Sequence, residues 1–530
     1  MLLNCSDLEQ MDEAYLRRLS PEQLLAVSAR LLQDVKELHE RLNQNAGNSS
    51  VPPSRQPAYL ESGALSPDEE SGEESESAVD PKPSEDQEVE EAKASPAQEP
   101  VTAGEAQRDS AKPGEGEAGV GRAGKPVGAP GYGRRQILAP RETVEHRAPQ
   151  CAACGARLGD DAPFVARVGF YQADLELGNV TQPALQVVCT LHRYGQTSCE
   201  CGHRTHTRPA GGVEELPEGF ESETTLSEWR LVGPLLASLL VCLAFRMRLS
   251  RARIQELIQD WLQLELSIGV INQTLHEAGL AAAPVHEQLI EQAQEAELQQ
   301  VDETPWKEHG RVLWLWVFVS TSVVVFVVGR RTRQVLQQVL TEAFSGWLMS
   351  DGHVNYRDYA KRLRCLAHLE RKARGLAESL DAEAKAFGEA ALLMLAVVFK
   401  QVRDGPDQSV HQPFLALFKT LCELHWHAGH EKTRALAREF LHDWEAIWTV
   451  LEQPDLPATN NAAERALRHW VIARLISHGT RTPQGSRVFA ILASVIDTCR
   501  LRGLSPWTYL ASVIAEPRQG QPAPELPAAA

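Results

Sequence analysis

The 530-residue sequence contains no apolar run long enough to cross a bilayer. Its two most apolar stretches, Leu231 to Phe245 and Val312 to Val328, stop short of the roughly 20 residues that a spanning helix needs. The second carries Ser320, Thr321 and Ser322 in its middle, which suits two buried strands joined by a turn. The opening residues, MLLNCSDLEQMDEAYLRR, are too acidic and too interrupted for a secretory signal. A disulfide framework is missing as well. Ten cysteines in a chain of this length, four of them in a CxxC and a CxC, point to a reducing, cytoplasmic setting.

The sequence also lacks the positive surplus expected of a nucleic-acid binder, since its formal net charge is −18. That average hides its origin. Between Glu61 and Val120 there are 18 acidic and 4 basic residues, so this one segment holds most of the excess. With Ser, Pro and Gly around the charges and few large apolar groups, it reads as disordered. After it the sign changes: Arg122, Lys125, Arg134, Arg135, Arg141 and Arg147 face only Glu142 and Glu145. Such an arm suits either phosphate contact or plain solvation.

What is present divides the chain into unlike parts. Leu24, Leu31 and Leu38 recur at seven-residue spacing, with Val35 and Leu42 on the same face, so residues 1–46 are expected to hold a coiled-coil helix. An amphipathic helix packing on its own protein fits the same pattern. Residues 47–148 form the linker, acidic then basic. Residues 149–212 contain Cys151-Ala-Ala-Cys154-Gly155 and Cys199-Glu-Cys201-Gly202-His203. Tetrahedral zinc needs four soft ligands, and glycine after a thiolate pair permits the tight turn, so Cys151, Cys154, Cys199 and Cys201 are the expected ligands of one structural Zn²⁺ in a zinc-ribbon-like module. His203 and His206 are reserves, and Cys189 belongs to an apolar strand.

Residues 213–298 read as helices, with Ser250 and Ser267 as polar starts and Arg246, Arg248, Arg251 and Arg253 supplying charge. A helix-turn-helix and a helical spacer both fit. From residue 299 the pattern becomes extended: strands at Gln299 to Asp302, Val312 to Ser320 and Ser322 to Val328, a helix at Thr332 to Ala343, and a strand at Gly346 to Asp351. Three strands, a helix and a strand is the order of a ribonuclease-H-like core, in which the first and fourth strands are neighbours. The fold class is therefore α/β and multidomain.

In that frame Asp302 ends the first strand and Asp351 ends the fourth. A third acidic residue, Glu464, falls in the first turn of a helix that Asn460 or Asn461 can cap, within NNAAERALRHWVIARL. Except for Asp497, no acidic residue follows it until Glu516, while Arg465, Arg468 and Arg474 share the helix. Three carboxylates can hold two Mg²⁺ (or Mn²⁺) ions about 4 Å apart for phosphoryl transfer. The core then comprises residues 299–375, a helical insertion at 376–456, a helix-bearing end at 457–500 and a C-terminal module at 501–530. The C-x-x-H spacing of Cys365 and His368 suggests metal, but no partner pair accompanies it, so the two read as a core strand entering a basic helix, on which Arg371 and Lys372 are candidate phosphate contacts. Lys307, His309 and His353 read as surface residues near the site, and Tyr356 and Tyr359 as packing residues.

Several phrases occur in a distinctive order: NSSVPPS, PGYGR, CAACG with CECGH, VDETPWKEHGRVLWLWVFV, SDGHVNY, RCLAHLERKARGL, NNAAERALR and RGLSPWTYL. By these the chain resembles the insertion sequence sixty-six (IS66) family of bacterial transposases over nearly its whole length. The resemblance implies a DDE transposase with Asp302, Asp351 and Glu464 as the catalytic triad, a zinc-binding module and a leucine-zipper-like N-terminus. It also implies double-stranded DNA at element ends and target as substrate and small accessory proteins of the same element. The heptad spacing adds an expectation of homo-oligomers through the first helix, and the short apolar runs one of no membrane and a cytoplasmic, nucleoid-associated location. A catalytically inactive regulator and a nuclease on the same core are the competing readings.

Overall fold

The computed structural model describes residues 13–42, 138–178, 181, 185–211, 217, 220, 224–341 and 344–528. The acidic linker, the PGYGR phrase and Arg122, Lys125, Arg134 and Arg135 lie outside them. Two helices come first, α1 (Glu13–Leu16) and α2 (Pro21–Leu42), the latter where the heptad spacing predicted one. Leu24, Val35 and Leu38 of the apolar seam are exposed.

The cysteine module is a four-stranded sheet of β1 (Glu142–His146), β2 (Phe164–Leu177), β3 (Leu185–Ser198) and β4 (Arg204–His206). The order is β1-β3-β2, with β4 also on β3. A linker was expected to reach residue 148, yet folded chain begins earlier. The alternating ETVEH forms β1 and pairs parallel to β3. Arg141 and Arg147 consequently belong to this sheet, bonded to Glu176 and Glu145.

Three helices follow, α3 (Pro234–Phe245), α4 (Arg251–Leu262) and α5 (Ile268–Gln294). Ser250 and Ser267 cap α4 and α5 by accepting from the amides of Arg253 and Val270, as the polar starts predicted. The second sheet comprises β5 (Leu298–Glu308), β6 (Arg311–Val319), β7 (Val324–Gly329), β8 (Trp347–Ser350) and β9 (Arg362–Arg364), with α6 (Arg333–Val339) between β7 and β8. Its order is β7-β6-β5-β8-β9, antiparallel from β7 to β5 and parallel from β5 to β9. The chain continues through α7 (Leu366–Ala377), α8 (Ala382–Asp404), α9 (Gln408–Leu424), α10 (Glu431–His442) and α11 (Trp444–Glu452). It returns to the sheet with α12 (Asn461–Ser477), α13 (Pro483–Leu501) and α14 (Pro506–Arg518).

Two cores explain this arrangement. The first joins Leu236 of α3, Leu275 of α5, Trp316 of β6, Phe326 of β7, Trp470 of α12, Ile496 of α13 and Leu510 of α14. Sequence pattern alone assigned these elements to four separate regions; they share one interior because α3 and β6 are apolar on every side and need cover all round. Arg518 of α14 closes the assembly with paired bonds to Glu277 of α5, both at 2.9 Å and both buried. The second core belongs to the insertion, where Phe387, Phe418, Phe440 and Trp448 pack with Met349 and Leu363 from the far edge of the sheet and Leu366 of α7. The two apolar stretches that resembled short membrane spans are α3 and the β6–β7 hairpin. No helix among the described residues is long and apolar enough to cross a membrane.

Candidate active site and cysteine centre

The sheet register brings two of the three expected carboxylates level. Parallel pairing sets Leu298 opposite Trp347 and Gln300 opposite Met349. Two residues further along the same register, Asp302 stands level with Asp351, which directly follows β8. One expectation needs correction: β5 does not end at Asp302 but runs to Glu308. Its other edge continues to pair with β6, with Asp302 opposite Val317 and Glu308 opposite Arg311. Asp302 therefore sits where the ladder to β8 ends and the ladder to β6 goes on.

The third carboxylate arrives by a different device. Asn460 does not cap α12 with its side chain. Its Nδ2 instead donates to the Val301 carbonyl at 2.8 Å, and Gln300 Oε1 accepts from the Ala462 amide at 3.2 Å. Both bonds tie the start of α12 to the residues just before Asp302, so Glu464 in the first turn faces the sheet. Its Oε1 lies 3.2 Å from the Arg371 guanidinium of α7.

Asp302 is half-buried, accepts a hydrogen bond from the Glu303 amide at 2.9 Å and has no ion-pair partner among the described residues. Burial, reinforced by the negative charges of Glu303, Asp351 and Glu464, pushes its carboxyl well above the ordinary range. An acid held this way is unstable as an anion unless a cation joins it. Asp351 accepts from the His353 amide at 2.9 Å and lies 4.0 Å from Arg331, at the limit of an ion pair.

Sequence reasoning missed the support beneath these acids. Glu303 is buried, bonded to Arg331 at 2.6 Å and to the hydroxyl of the fully buried Tyr356, which donates to it. Burial and the Asp351 charge raise the Glu303 carboxyl above its usual range. Arg331 thus reaches both Glu303 and Asp351, and its guanidinium also lies 4.4 Å over the Trp314 ring. The glycine of the SDG phrase has a steric reason, because a Cβ on Gly352 would overlap the Arg364 guanidinium. Arg364 is itself buried and bonded to Glu439 at 2.6 Å and Asp443 at 2.7 Å, which fastens the insertion to the strand before its helix. No sequence signal distinguishes Arg364 from the other cations of that segment.

Cys365 and His368 form the strand-to-helix junction that was expected, and they also meet Glu464. One ligand atom from each of the three lies within 4.8 Å of the others. Burial, followed by the Arg371 charge, takes the His368 imidazole down to about 4, so it is neutral, and its Nδ1 is buried without a hydrogen-bond partner. Among the described residues the other such group is Cys151, Cys154, Cys199 and Cys201. Sγ of Cys151 lies 3.7 Å from that of Cys201, and Sγ of Cys154 lies 3.6 Å from that of Cys199. Gly155 and Gly202 adopt φ of +72° and +87° at the two turns, the conformation expected of glycine there. Amide hydrogen bonds from Cys154 and Ala153 draw the Cys151 thiol down to about 6, toward the thiolate that a metal needs. His203 and His206 are not part of the group.

The five cations expected along a DNA strand separate into two sets. Arg465 and Arg468 are exposed on α12. Arg371 is bonded to Glu464, Lys372 to Glu439 at 2.8 Å, and Arg474 to Thr304 Oγ1 at 2.8 Å and to the Pro305 carbonyl. Within the protein, these three are positioning groups.

Residues 230–488 match the family model described as Transposase IS66 family. The chain carries an IS66-family transposase domain. That domain begins at the helices before the sheet and contains Asp302, Asp351 and Glu464, in agreement with the shared first core. The family implies use of a divalent metal. Three uncharacterized proteins of Sinorhizobium fredii are similar to the chain. The one called y4qI is 26% identical over 305 residues, covering 50% of this chain and 56% of the relative. The one called y4jD is 26% identical over 245 residues, 41% and 44% of the two chains. The one called y4jO is 32% identical over 111 residues, 21% and 34%. The chain spans about half the length of the first two relatives it matches.

Proposed function

We propose that the protein is a DDE transposase of a bacterial insertion sequence, acting on double-stranded DNA with Asp302, Asp351 and Glu464 as its metal-holding carboxylates. The sheet order, with β8 and β9 parallel to β5 beside the three-stranded antiparallel run β7-β6-β5, supports a ribonuclease-H-like reading of this core. The observation that carries the proposal is Asp302: a half-buried carboxylate, crowded by other acids, with no cation of its own. Two Mg²⁺ or Mn²⁺ ions there would supply the positive charge that activates a nucleophile and steadies a leaving oxygen.

The chain's own residues do the rest. Asp302 and Asp351, level on adjacent strands, fix one side of the site, and Glu464 approaches from α12. Arg331 and Tyr356 hold Glu303, keeping β5 and the turn after β8 in register. Arg371 steadies Glu464 until the site is loaded. Exposed Arg465 and Arg468 lie along the phosphate backbone. In the reaction so framed, water attacks the phosphorus at an element end and the bond to the 3′ oxygen breaks. The freed 3′ hydroxyl then attacks a target phosphodiester in line, and one target 3′ oxygen leaves.

The four cysteines hold one structural Zn²⁺ in this reading, and the exposed seam of α2 pairs protomers as a coiled coil. Small accessory proteins of the same element act beside it in the bacterial cytoplasm, at the nucleoid. The test is nicking, in Mg²⁺ or Mn²⁺, of a duplex bearing the DNA that flanks the gene. Wild-type activity that disappears in Asp302→Ala, Asp351→Ala and Glu464→Ala supports the proposal. Activity that survives Asp302→Ala defeats it, and normal DNA binding with no nicking by wild type favours the inactive regulator.

A further inference from the structure

A second site lies at the opposite end of α12. The last turns of α12, the start of α13, the start of α4 and the first turns of α5 line a cavity of about 680 Å³. Its walls include Arg248, Arg251 and Arg481 together with His276 and His478, and among the described residues no acidic side chain lines it. Acids on neighbouring elements are engaged elsewhere: Asp497 with Arg246 and the Trp470 indole, and Glu308 with Ser486. Neither Arg251 nor Arg481 has a hydrogen-bond or ion-pair partner among the described residues. Arg248 donates to His469 at 2.7 Å, yet its Nε is buried without a partner.

Arg251 and Arg248 are partly buried and Arg481 is exposed; a partly buried guanidinium with an unpaired N–H is costly unless an anion joins it. The backbone is shaped to the same end. Arg248 adopts a φ of 57°, uncommon for any residue but glycine, and Gly479 has φ +95° with its backbone against Lys307, where a Cβ would overlap the Lys307 carbonyl. Both turns line the cavity. Two helices, α4 and α13, also begin at the cavity, adding the positive ends of their dipoles. Partly buried Phe489 and Ala473 give an apolar wall suited to a sugar.

Glu464 is in the first turn of α12, and Ala473 and Ser477 are nine and thirteen residues further on. At 1.5 Å per residue the cavity is about 14–20 Å along the helix from Glu464. Phosphates of one DNA strand advance about 3.4 Å each along the axis. We propose that this cavity takes a phosphodiester group of the bound DNA strand, about four to six nucleotides from the phosphate held at the carboxylates. The inference rests on the transposase reading for its substrate, and its test is separable from that reading.

The full chain is titrated against a fluorescein-labelled, random-sequence duplex at several salt concentrations, with anisotropy as the readout. The variants are Arg251→Gln, Arg481→Gln and the pair together, with Arg253→Gln as control, since Arg253 is paired to Glu256 on the same helix outside the cavity. Each cavity variant should lower the slope of log affinity against log salt by about one, and the pair should weaken binding about tenfold or more at fixed salt. The control should change neither, and thermal melting should stay at the wild-type value. A wild-type chain that does not bind the duplex, or a double variant that binds it with wild-type slope and affinity, overturns the proposal. So does displacement of the duplex by millimolar thymidine monophosphate, which would assign the site to a free nucleotide. Neutral methylphosphonate linkages walked along a duplex carrying the flanking DNA test the spacing. Wild type should lose affinity for linkages about four to six nucleotides from the nick, and the double variant should not respond. Should Asp302→Ala still nick while the cavity variants lose binding, the carboxylate chemistry falls and the phosphate site stands.

Discussion

The cysteine centre and the carboxylate centre are built on opposite plans. The four cysteines lie on two short turns, 151–155 and 199–202, of one small sheet, with paired sulfurs 3.6–3.7 Å apart. Nothing but local turns and the β2–β3 hairpin is needed to close them. The carboxylates come from two strands and a helix spread over more than 160 residues, and they are not drawn as close together as the cysteines. One centre is closed on itself and suits a structural ion. The other is open, crowded with negative charge and incomplete without a cation. A structural site lowers the energy of the folded chain, whereas an active site of this kind stores unfavourable charge until its ions and substrate arrive.

The largest expected effect breaks the open centre. Asp351→Ala or Glu464→Ala should reduce metal-dependent nicking by about 10³-fold or more, since several kcal/mol of transition-state stabilisation is lost, while leaving the melting temperature near wild type. Circular dichroism melts beside the nicking assay check both halves.

Next comes the closed centre. Cys154→Ser or Cys199→Ser should abolish bound zinc and unfold the module locally, because a structural zinc site contributes folding free energy outright. Limited proteolysis should then cut between residues 138 and 211. The stabilisation that Mg²⁺ gives the rest of the chain should be unchanged. Equal damage to both regions would contradict the separation drawn between them.

A smaller effect runs in the unusual direction. The Asp302 carboxyl is raised, so the folded chain holds that proton more tightly than the unfolded chain does. Its contribution to stability is full below the ordinary carboxylate range and is lost as pH rises through the raised value. Without metal, Asp302→Asn should therefore melt above wild type at pH 8, and the two should converge as pH falls below the ordinary carboxylate range. Added Mg²⁺ should stabilise wild type and not the variant. The smallest effect lies on the exposed face: Arg465→Gln and Arg468→Gln should each weaken duplex binding a few-fold and lower the salt slope by about one, without touching zinc content.

The same contrast explains what could be read from sequence. The clustering of the four cysteines was legible because glycine-flanked thiol pairs are a local pattern. The juxtaposition of Asp302 and Asp351 was legible through the order of strands, although the strand bearing Asp302 proved longer, since pairing to β6 outlasts pairing to β8. Glu303, Arg331, Tyr356 and Arg364 were not legible. Their partners lie 28 to 79 residues away and nothing in their own neighbourhood marks them. The four arginines from 246 to 253 looked alike in sequence. The fold sends Arg246 to Asp497 and Arg253 to Glu256, and leaves Arg251 without a partner in the cavity. The helices and the sheet were visible as periodicities, whereas their union in one core was not, because periodicity shows which face is apolar and not what covers it.

The most direct test of the central claim replaces Mg²⁺ with Fe²⁺ and starts hydroxyl-radical cleavage of the polypeptide with ascorbate and peroxide. A shared ion site at Asp302, Asp351 and Glu464 should yield cuts near all three residues at once, all suppressed by excess Mg²⁺ and all absent in Asp302→Ala. Cuts confined to the cysteine module, or cuts near Glu464 that persist in Asp302→Ala, would contradict it.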